Sequence, residues 1–404
     1  METTEAFVGL DCIDCGERFD AETATHRCPD CGGILDPAYD YDAVDVSREG
    51  FEAEPFDSLW RYDALLPFHR ESAVSLGEGG TPLVECPTLA DAMGVDELYI
   101  KDEGLNPTGT FKDRGQTGAL TAAAQHGADT VALNTAGNAG QAAAAYAARA
   151  GMDAHVWLAE RAGYTQKAMI EVHGGDLHVV EGEITDAGAA YAERMEEEDW
   201  YSTKTFVTPY RHETKKTMLY ETVEQLDWEV PDAVVYPTGG GVGLVGMHKG
   251  AKEFRDLGLT DDLPGMYAAQ AAGCAPVVRA WEEGKSIHEA WGDENITTVL
   301  NGIAVPDPGA SPMILDALEE SGGGAVAAED DDILDTAVEI ARAEGVEMGA
   351  TCAAAAAGAF QLVDDGELGA DDTVVLLNTG AGNKDVDTLR SHLGEREFEA
   401  ETAE

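Results

Sequence analysis

The chain has 404 residues, with 25 lysines and arginines against 78 aspartates and glutamates, for a formal net charge of −53. A hydrophobic fraction of 44% excludes acidic disorder, and the length allows about two or three domains. Such a charge excludes a surface built to grip nucleic-acid phosphates or an anionic bilayer, and leaves a small molecule as the expected partner.

The acids are spread along the whole chain. Their self-repulsion becomes tolerable where salt screens it, which predicts the protein of a salt-loving organism. Met1–Leu10 holds two glutamates and no basic residue, unlike a signal peptide. No apolar run reaches the ~18 residues of a membrane span. The expected location is the cytoplasm.

Cys12, Cys15, Cys28 and Cys31 form two C-x-x-C pairs separated by twelve residues. Each pair sets two thiolates on one tight turn, with Gly16 or Gly32 next in line. Two such turns can close a tetrahedral zinc site of four thiolates. Two disulfides are the alternative, which a reducing cytosol disfavours. His26 is a spare potential ligand or an ordinary surface histidine. Cys86, Cys274 and Cys352 read as core residues. The segment 1–35 is thus a zinc-ribbon-like unit that needs metal because it has almost no core. Residues 36–54, acidic and aromatic, read as a connector.

Short apolar runs then alternate with helical stretches. Thr130–Leu133 is a predicted strand, followed by an alanine-rich helix over Ala139–Ala150 that Gly151 stops. Ala154–Leu158 and Leu177–Val180 are strands flanking a helix near Thr165–Val172. Ala233–Tyr236, Tyr267–Gln270 and Val374–Leu377 are buried strands, with helices over Asp331–Glu344 and Thr351–Val363. This alternation predicts an α/β fold, with parallel sheet covered by helices on both faces. Residues 394–404 form an acidic tail.

Four glycine-bearing segments fall at turns or strand-to-helix junctions, where open parallel sheets hold ligands. Asn106–Gly115 places Lys112 near a helix start beside Arg114, where a lowered pKa would suit a nucleophile or Schiff-base former; a solvated surface lysine is the bland alternative. Asn134–Gln141 opens the alanine helix, and its free N–H groups suit a carboxylate, or Asn138 merely caps the helix. Thr238–Gly243, with three consecutive glycines, can wrap a phosphate, or is a flexible turn. It lacks the G-K-[ST] ending of a nucleotide P-loop. Asn378–Asp385 sets the Thr379 hydroxyl at the edge of the last strand. Together these ask for a ligand with a reactive carbonyl, a phosphate and a polar ring, and pyridoxal phosphate has all three.

The chain resembles the threonine synthases, within the tryptophan-synthase-β-like class. The resemblance is carried by Trp60-Arg61-Tyr62, Ser75–Leu83, Lys101–Gly115, Pro209-Tyr210-Arg211, Lys216-Thr217 and Thr238–Gly243. It implies two open parallel-sheet α/β subdomains with the cofactor at their interface, preceded by the zinc-ribbon-like segment. The catalytic region would span 36–393, with an inner subdomain of about 110–225. Lys112 would be the Schiff-base lysine and Asn138 would bond the ring 3-oxygen. Gly239, Gly240, Gly241, Val242 and Gly243 would bind the cofactor phosphate, and Thr379 would face the ring nitrogen. Lys101, Thr135, Arg161 and Arg211 are the candidates for holding substrate. The implied reaction turns O-phospho-L-homoserine and water into L-threonine and phosphate, and the class implies a homodimer. Ala136 and Ala381 depart from the family pattern, as does Thr208. They leave a serine/threonine dehydratase or β-replacement enzyme on the same fold as the alternative. A zinc ribbon fused to a nucleotide-binding domain is the remaining reading, and the charge and the missing P-loop lysine count against it.

Overall fold

A computed structural model describes residues 1–394; the acidic tail from 395 onward lies outside the described residues. The chain opens with a three-stranded antiparallel ribbon of β1 (Phe7–Cys12), β2 (Arg18–Phe19) and β3 (Leu35–Tyr39), in the order β2-β1-β3. Each C-x-x-C pair folds into a tight knuckle. Gly16 N–H donates to Cys12 O and Gly32 N–H to Cys28 O, both at 2.9 Å. The two glycines have φ of +75° and +77°, which is why glycine follows each pair. The ribbon sheet runs into the stretch expected to be connector, because Leu35, Pro37 and Tyr39 alternate inward at strand period.

The remaining strands form two open sheets. The larger contains β4 (Leu83–Glu85), β5 (Glu97–Asp102), β10 (Ala233–Pro237), β11 (Gly265–Ala271), β12 (Gly324–Ala328) and β13 (Thr373–Asn378). Its order is β12-β11-β10-β13-β5-β4, parallel throughout except for β4 at the edge. The smaller is wholly parallel, with β6 (Thr130–Asn134), β7 (Asp153–Ala159), β8 (Asp176–Val180) and β9 (Tyr201–Ser202) in the order β8-β7-β6-β9. All six strands expected from the apolar runs form. β10 is buried at every position, as a central parallel strand covered on both faces must be.

The expected helices form at Asn138–Ala150, Tyr164–Val172, Asp330–Ala343 and Ala354–Asp364. The last starts three residues later than expected. Cys352 and Ala353 instead donate to Gly349 O in a preceding turn. Among the described residues, six lysines or arginines and six aspartates or glutamates are buried. The interior is therefore charge-balanced, and the acid excess lies outside the core. No helix among the described residues is long and apolar enough to cross a membrane.

Candidate active site

The carboxyl ends of β6, β10 and β13 meet at one cavity, walled by Lys112, Asn138, Gly239–Val242, Thr351, Cys352, Thr379 and Lys384 among others. Parallel strands place their following loops at this edge, and helix N-termini follow with free N–H groups.

Lys112 is the first residue of the helix Lys112–Gln125. Its loop is stitched to the loop after β13: Phe111 N–H donates to Thr379 O and Ala381 N–H to Gly109 O, both at 3.0 Å. The ammonium lies 4.1 Å from the Phe111 ring centroid, and no carboxylate among the described residues pairs with it. Burial, aided by the Arg211 charge, pushes its pKa down to about 7. Near neutral pH a large share of this amine is unprotonated, as a nucleophile or general base requires.

β10 leads through Gly239–Gly241 into the helix Val242–Asp256. The first N–H groups of that helix have no intrahelical acceptor. A Cβ on Gly240 would meet nothing within 4 Å, whereas one on Gly241 would collide with Ile314. The Gly240 backbone therefore faces open space that a side chain would fill, at a helix N-terminus suited to an anion. Across the cavity Asn138 begins the alanine helix, and its Oδ1 accepts from Gln166 Nε2 at 3.3 Å. Its amide NH2 remains as a donor. The Thr379 hydroxyl lies 3.2 Å from Cys352 Sγ, a thiol that burial pushes up to about 11 and so keeps protonated. Amine, N–H cradle, amide and hydroxyl thus surround one space and fit the carbonyl, phosphate, ring oxygen and ring nitrogen of pyridoxal phosphate.

The expected substrate residues separate. Lys101 is fully buried, and its three donors are used by Thr81 O, Glu221 and Gln225 at 2.7–2.8 Å. Like the other three candidates, Arg211 included, it is not part of the cavity wall, so partners rather than position distinguish them. Arg161 pairs with Glu183 at 2.6 Å on an exposed surface. Thr135 Oγ1 accepts from Gly137 N–H at 3.1 Å and supports the turn before Asn138. Arg211 is different: fully buried, it donates through Nη1 to Thr203 O at 3.1 Å, while Nε and Nη2 have no partner. Burial alone brings its pKa down to about 10. Nearby Lys215 is also buried; it bonds only the Arg211 carbonyl at 3.2 Å, and its pKa is lowered by burial and then by the Arg211 and Lys112 charges. Buried cations without a carboxylate point to an anion that arrives with a ligand.

Most of the remaining motif residues form scaffold. Arg114 grips Glu103 and Glu221 through four bonds of 2.6–2.7 Å, and Lys101 joins Glu221. Glu78 accepts from Trp60 Nε1 at 2.9 Å and Tyr146 OH at 2.8 Å. This network locks the Lys112 loop from behind.

Lys384 and Cys352 are among the cavity residues that the sequence did not single out. Lys384 reaches across to donate to Gln141 Oε1 at 2.6 Å, joining the loop after β13 to the alanine helix. Its position six residues after strand β13 was the available signal. Cys352 gave none, since a single buried cysteine reads as core. In the ribbon, Cys12 and Cys31 sulfurs lie 3.4 Å apart and Cys15 and Cys28 sulfurs 3.8 Å apart. All four are free and mutually within 4.8 Å. That excludes disulfides (~2.05 Å). It matches four sulfurs at ~2.3 Å around one tetrahedral ion.

Residues 74–380 match the family described as pyridoxal-phosphate dependent enzyme. The chain is 39% identical over 381 residues to the threonine synthase of Methanosarcina acetivorans, covering 94% of this chain and 93% of that one. It is 36% identical over 380 residues to the threonine synthase of Methanocaldococcus jannaschii, covering 93% of each. Among solved structures it is similar to threonine deaminase isoform 2 of Solanum lycopersicum, with TM-score 0.66, 21% identity, and coverage of 78% of this chain and 83% of that one. An L-serine ammonia-lyase from Rhizomucor miehei gives TM-score 0.65 at 20% identity, with coverage of 78% and 97%. These last two likenesses show the fold.

Proposed function

The chain belongs to the pyridoxal-phosphate-dependent enzyme family, among the threonine synthases, and we propose that it converts O-phospho-L-homoserine and water into L-threonine and inorganic phosphate. The observation that carries this reading is Arg211: a fully buried guanidinium with two unpartnered N–H sites, close enough to Lys112 to depress its pKa. A phosphorylated substrate supplies the missing anion in addition to its α-carboxylate, whereas serine or threonine bring only the carboxylate.

Lys112 would hold the cofactor, Gly239–Gly243 its phosphate, Asn138 its ring oxygen and Thr379 its ring nitrogen. When bound, pyridoxal phosphate supplies an electron sink for charge developing at the substrate carbons. The buried Lys112 amine would take the Cα proton and could return a proton at a neighbouring carbon. A Cβ proton would also pass to this amine, letting the phosphate bound by Arg211 leave Cγ with the C–O electron pair; a proton is then delivered to Cγ, water adds its hydroxyl at Cβ, and Cα regains its proton. Thr379 offers a hydroxyl in place of a carboxylate, and so does not favour full protonation of the ring nitrogen. Cys12, Cys15, Cys28 and Cys31 would hold a structural zinc ion.

The test uses purified holoenzyme in molar KCl. An absorbance band near ~410–420 nm reports the lysine-bound cofactor. With O-phospho-L-homoserine, phosphate and threonine should appear together. Release of 2-oxobutyrate from L-threonine, with no phosphate from O-phospho-L-homoserine, would assign a dehydratase instead.

A further inference from the structure

Arg211 is held from two sides, and both holds lead to the N-terminal ribbon. Its acceptor, Thr203 O, follows directly on β9, and the backbone N–H of Ser202 donates to Nε2 of His26 at 3.0 Å. His26 lies between the two knuckles, with its ring 4.6 Å from that of Tyr201. Arg211 itself belongs to the first turn of a helical run, Tyr210–Glu213, that has no side-chain cap and continues through Thr214–Lys216 into the helix Thr217–Gln225. The placement of such a first turn depends on tertiary packing. The next two residues are tied down instead: His212 Nε2 lies 2.8 Å from Asp36 Oδ1, and Tyr39 OH donates to Glu213 Oε1 at 2.7 Å. Lys249 cross-braces the joint, reaching Asp36 at 3.0 Å, Pro37 O at 2.6 Å and Glu213 at 2.6 Å. Its ammonium thereby joins the carboxylates of Asp36 and Glu213.

The ribbon supplies no residue to the cavity wall, and among the described residues no hydrogen bond joins it to one. The Lys112, glycine-loop, Asn138 and Thr379 parts of the site are set by the two parallel sheets. The Arg211 region also packs on the Lys112–Gln125 and Val242–Asp256 helices, where Gly115, Gly118 and Gly246 let the backbones approach, and His26 and β3 brace it from the ribbon side. We propose that the N-terminal ribbon is a positioning element for the substrate-phosphate site, with His26 fixing the acceptor of Arg211 and Asp36 and Tyr39 fixing its helix. This rests on the reading of Arg211 as the phosphate anchor. The guanidinium is tied through Nη1 alone, and displacement of a positioning group by ~1 Å can cost ~10²-fold in rate.

The experiment compares wild-type holoenzyme with a His26→Ala/Asp36→Ala variant, and with His26→Gln/Asp36→Asn, whose side chains can still accept the same hydrogen bonds. The readouts are KM and kcat for O-phospho-L-homoserine, inhibition by inorganic phosphate, and the visible band of the bound cofactor. The expected result is a rise of about tenfold in both KM and the phosphate inhibition constant, equivalent to about 1.4 kcal/mol. The band should stay within about twofold, kcat should fall with the loss of leaving-group stabilisation, and the Gln/Asn variant should return toward wild type. Unchanged KM and phosphate inhibition would overturn the proposal, as would loss of the cofactor band in step with KM, which marks general destabilisation. Should the double alanine variant not fold, Asp36→Ala alone is read by the same measurements and the same criteria. A wild-type enzyme that releases no phosphate would refute the reaction itself; phosphate binding to the holoenzyme, compared across the variants, would then still decide whether the ribbon sets the anion site.

Discussion

Replacing Arg211 with methionine should separate stability from function. The side chain is fully buried, bonds one carbonyl, and meets no carboxylate. Burial lowers its pKa from the ordinary guanidinium value to about 10. That is a penalty on the charged form of about 3 kcal/mol. Arg211→Met removes this penalty, keeps the chain's volume roughly constant, and gives up one charge-assisted bond to Thr203 O, worth about 1.5–3 kcal/mol. The two effects nearly cancel, so the substrate-free holoenzyme should unfold within about 2 kcal/mol of wild type. The kinetic effect has no such compensation. Two lost N–H contacts to a phosphate, at about 1.5–3 kcal/mol each, predict a fall of about 10²–10⁴ in kcat/KM. Inorganic phosphate should raise the melting temperature of wild type and leave that of the variant unmoved, since only a ligand of the folded state stabilises it. Denaturant melts with and without phosphate, together with initial rates, decide the matter. A variant destabilised by more than about 4 kcal/mol, or one keeping kcat/KM within tenfold, would refute the reasoning.

For the cofactor-free protein, Lys112 has a pKa near 7 against an ordinary value of 10.5. The unfolded chain then binds more protons than the folded one between about pH 7 and 10.5, so this group makes stability rise with pH across that window. Lys112→Met should flatten the slope, and urea melts at two pH values check it; an unaltered slope removes the buried-amine argument. Gly240→Val should weaken cofactor affinity by at least about tenfold while leaving cofactor-free melting nearly unchanged, because its Cβ enters open space. Gly241→Ala, at φ +69° and against Ile314, should instead destabilise the fold by about 1–3 kcal/mol. Elemental analysis should find one zinc per chain, and Cys12→Ser should lose it; metal-free wild type that stays folded would contradict the ribbon assignment. Melting temperature should rise from ~0.1 to ~2 M KCl, since salt screens surface repulsion more strongly than buried pairs; a flat response would refute the salt-adapted reading.

Strands that carry apolar runs were legible because a parallel sheet buried on both faces demands them. β10 and β13 are examples. β5 and β12 were not. β5 ends in Lys101 and Asp102, whose charges are satisfied by a network that sequence does not display. β12 reads Gly-Ala-Val-Ala-Ala, small residues with little strand preference, and forms because β11 offers a partner edge. Glycine runs and Lys112 were legible for a related reason: a strand ending in such a turn creates an anion cradle by backbone geometry alone.

The substrate half followed a different logic. Four cations or hydroxyls near matched motifs looked equivalent in sequence, namely Lys101, Thr135, Arg161 and Arg211. What separates them is partner accounting in three dimensions. Lys101 has all three donors used, Thr135 braces a turn, and Arg161 pairs with Glu183 in solvent, which leaves little binding energy to offer a ligand. Arg211 alone of the four is both buried and partly unpartnered. A conspicuous motif can therefore be scaffold, as Arg114 and Glu103 are. The residue that awaits a ligand is recognised by what its neighbours fail to supply, and that deficit exists only once the ribbon, β9 and the short Arg211 helix have come together.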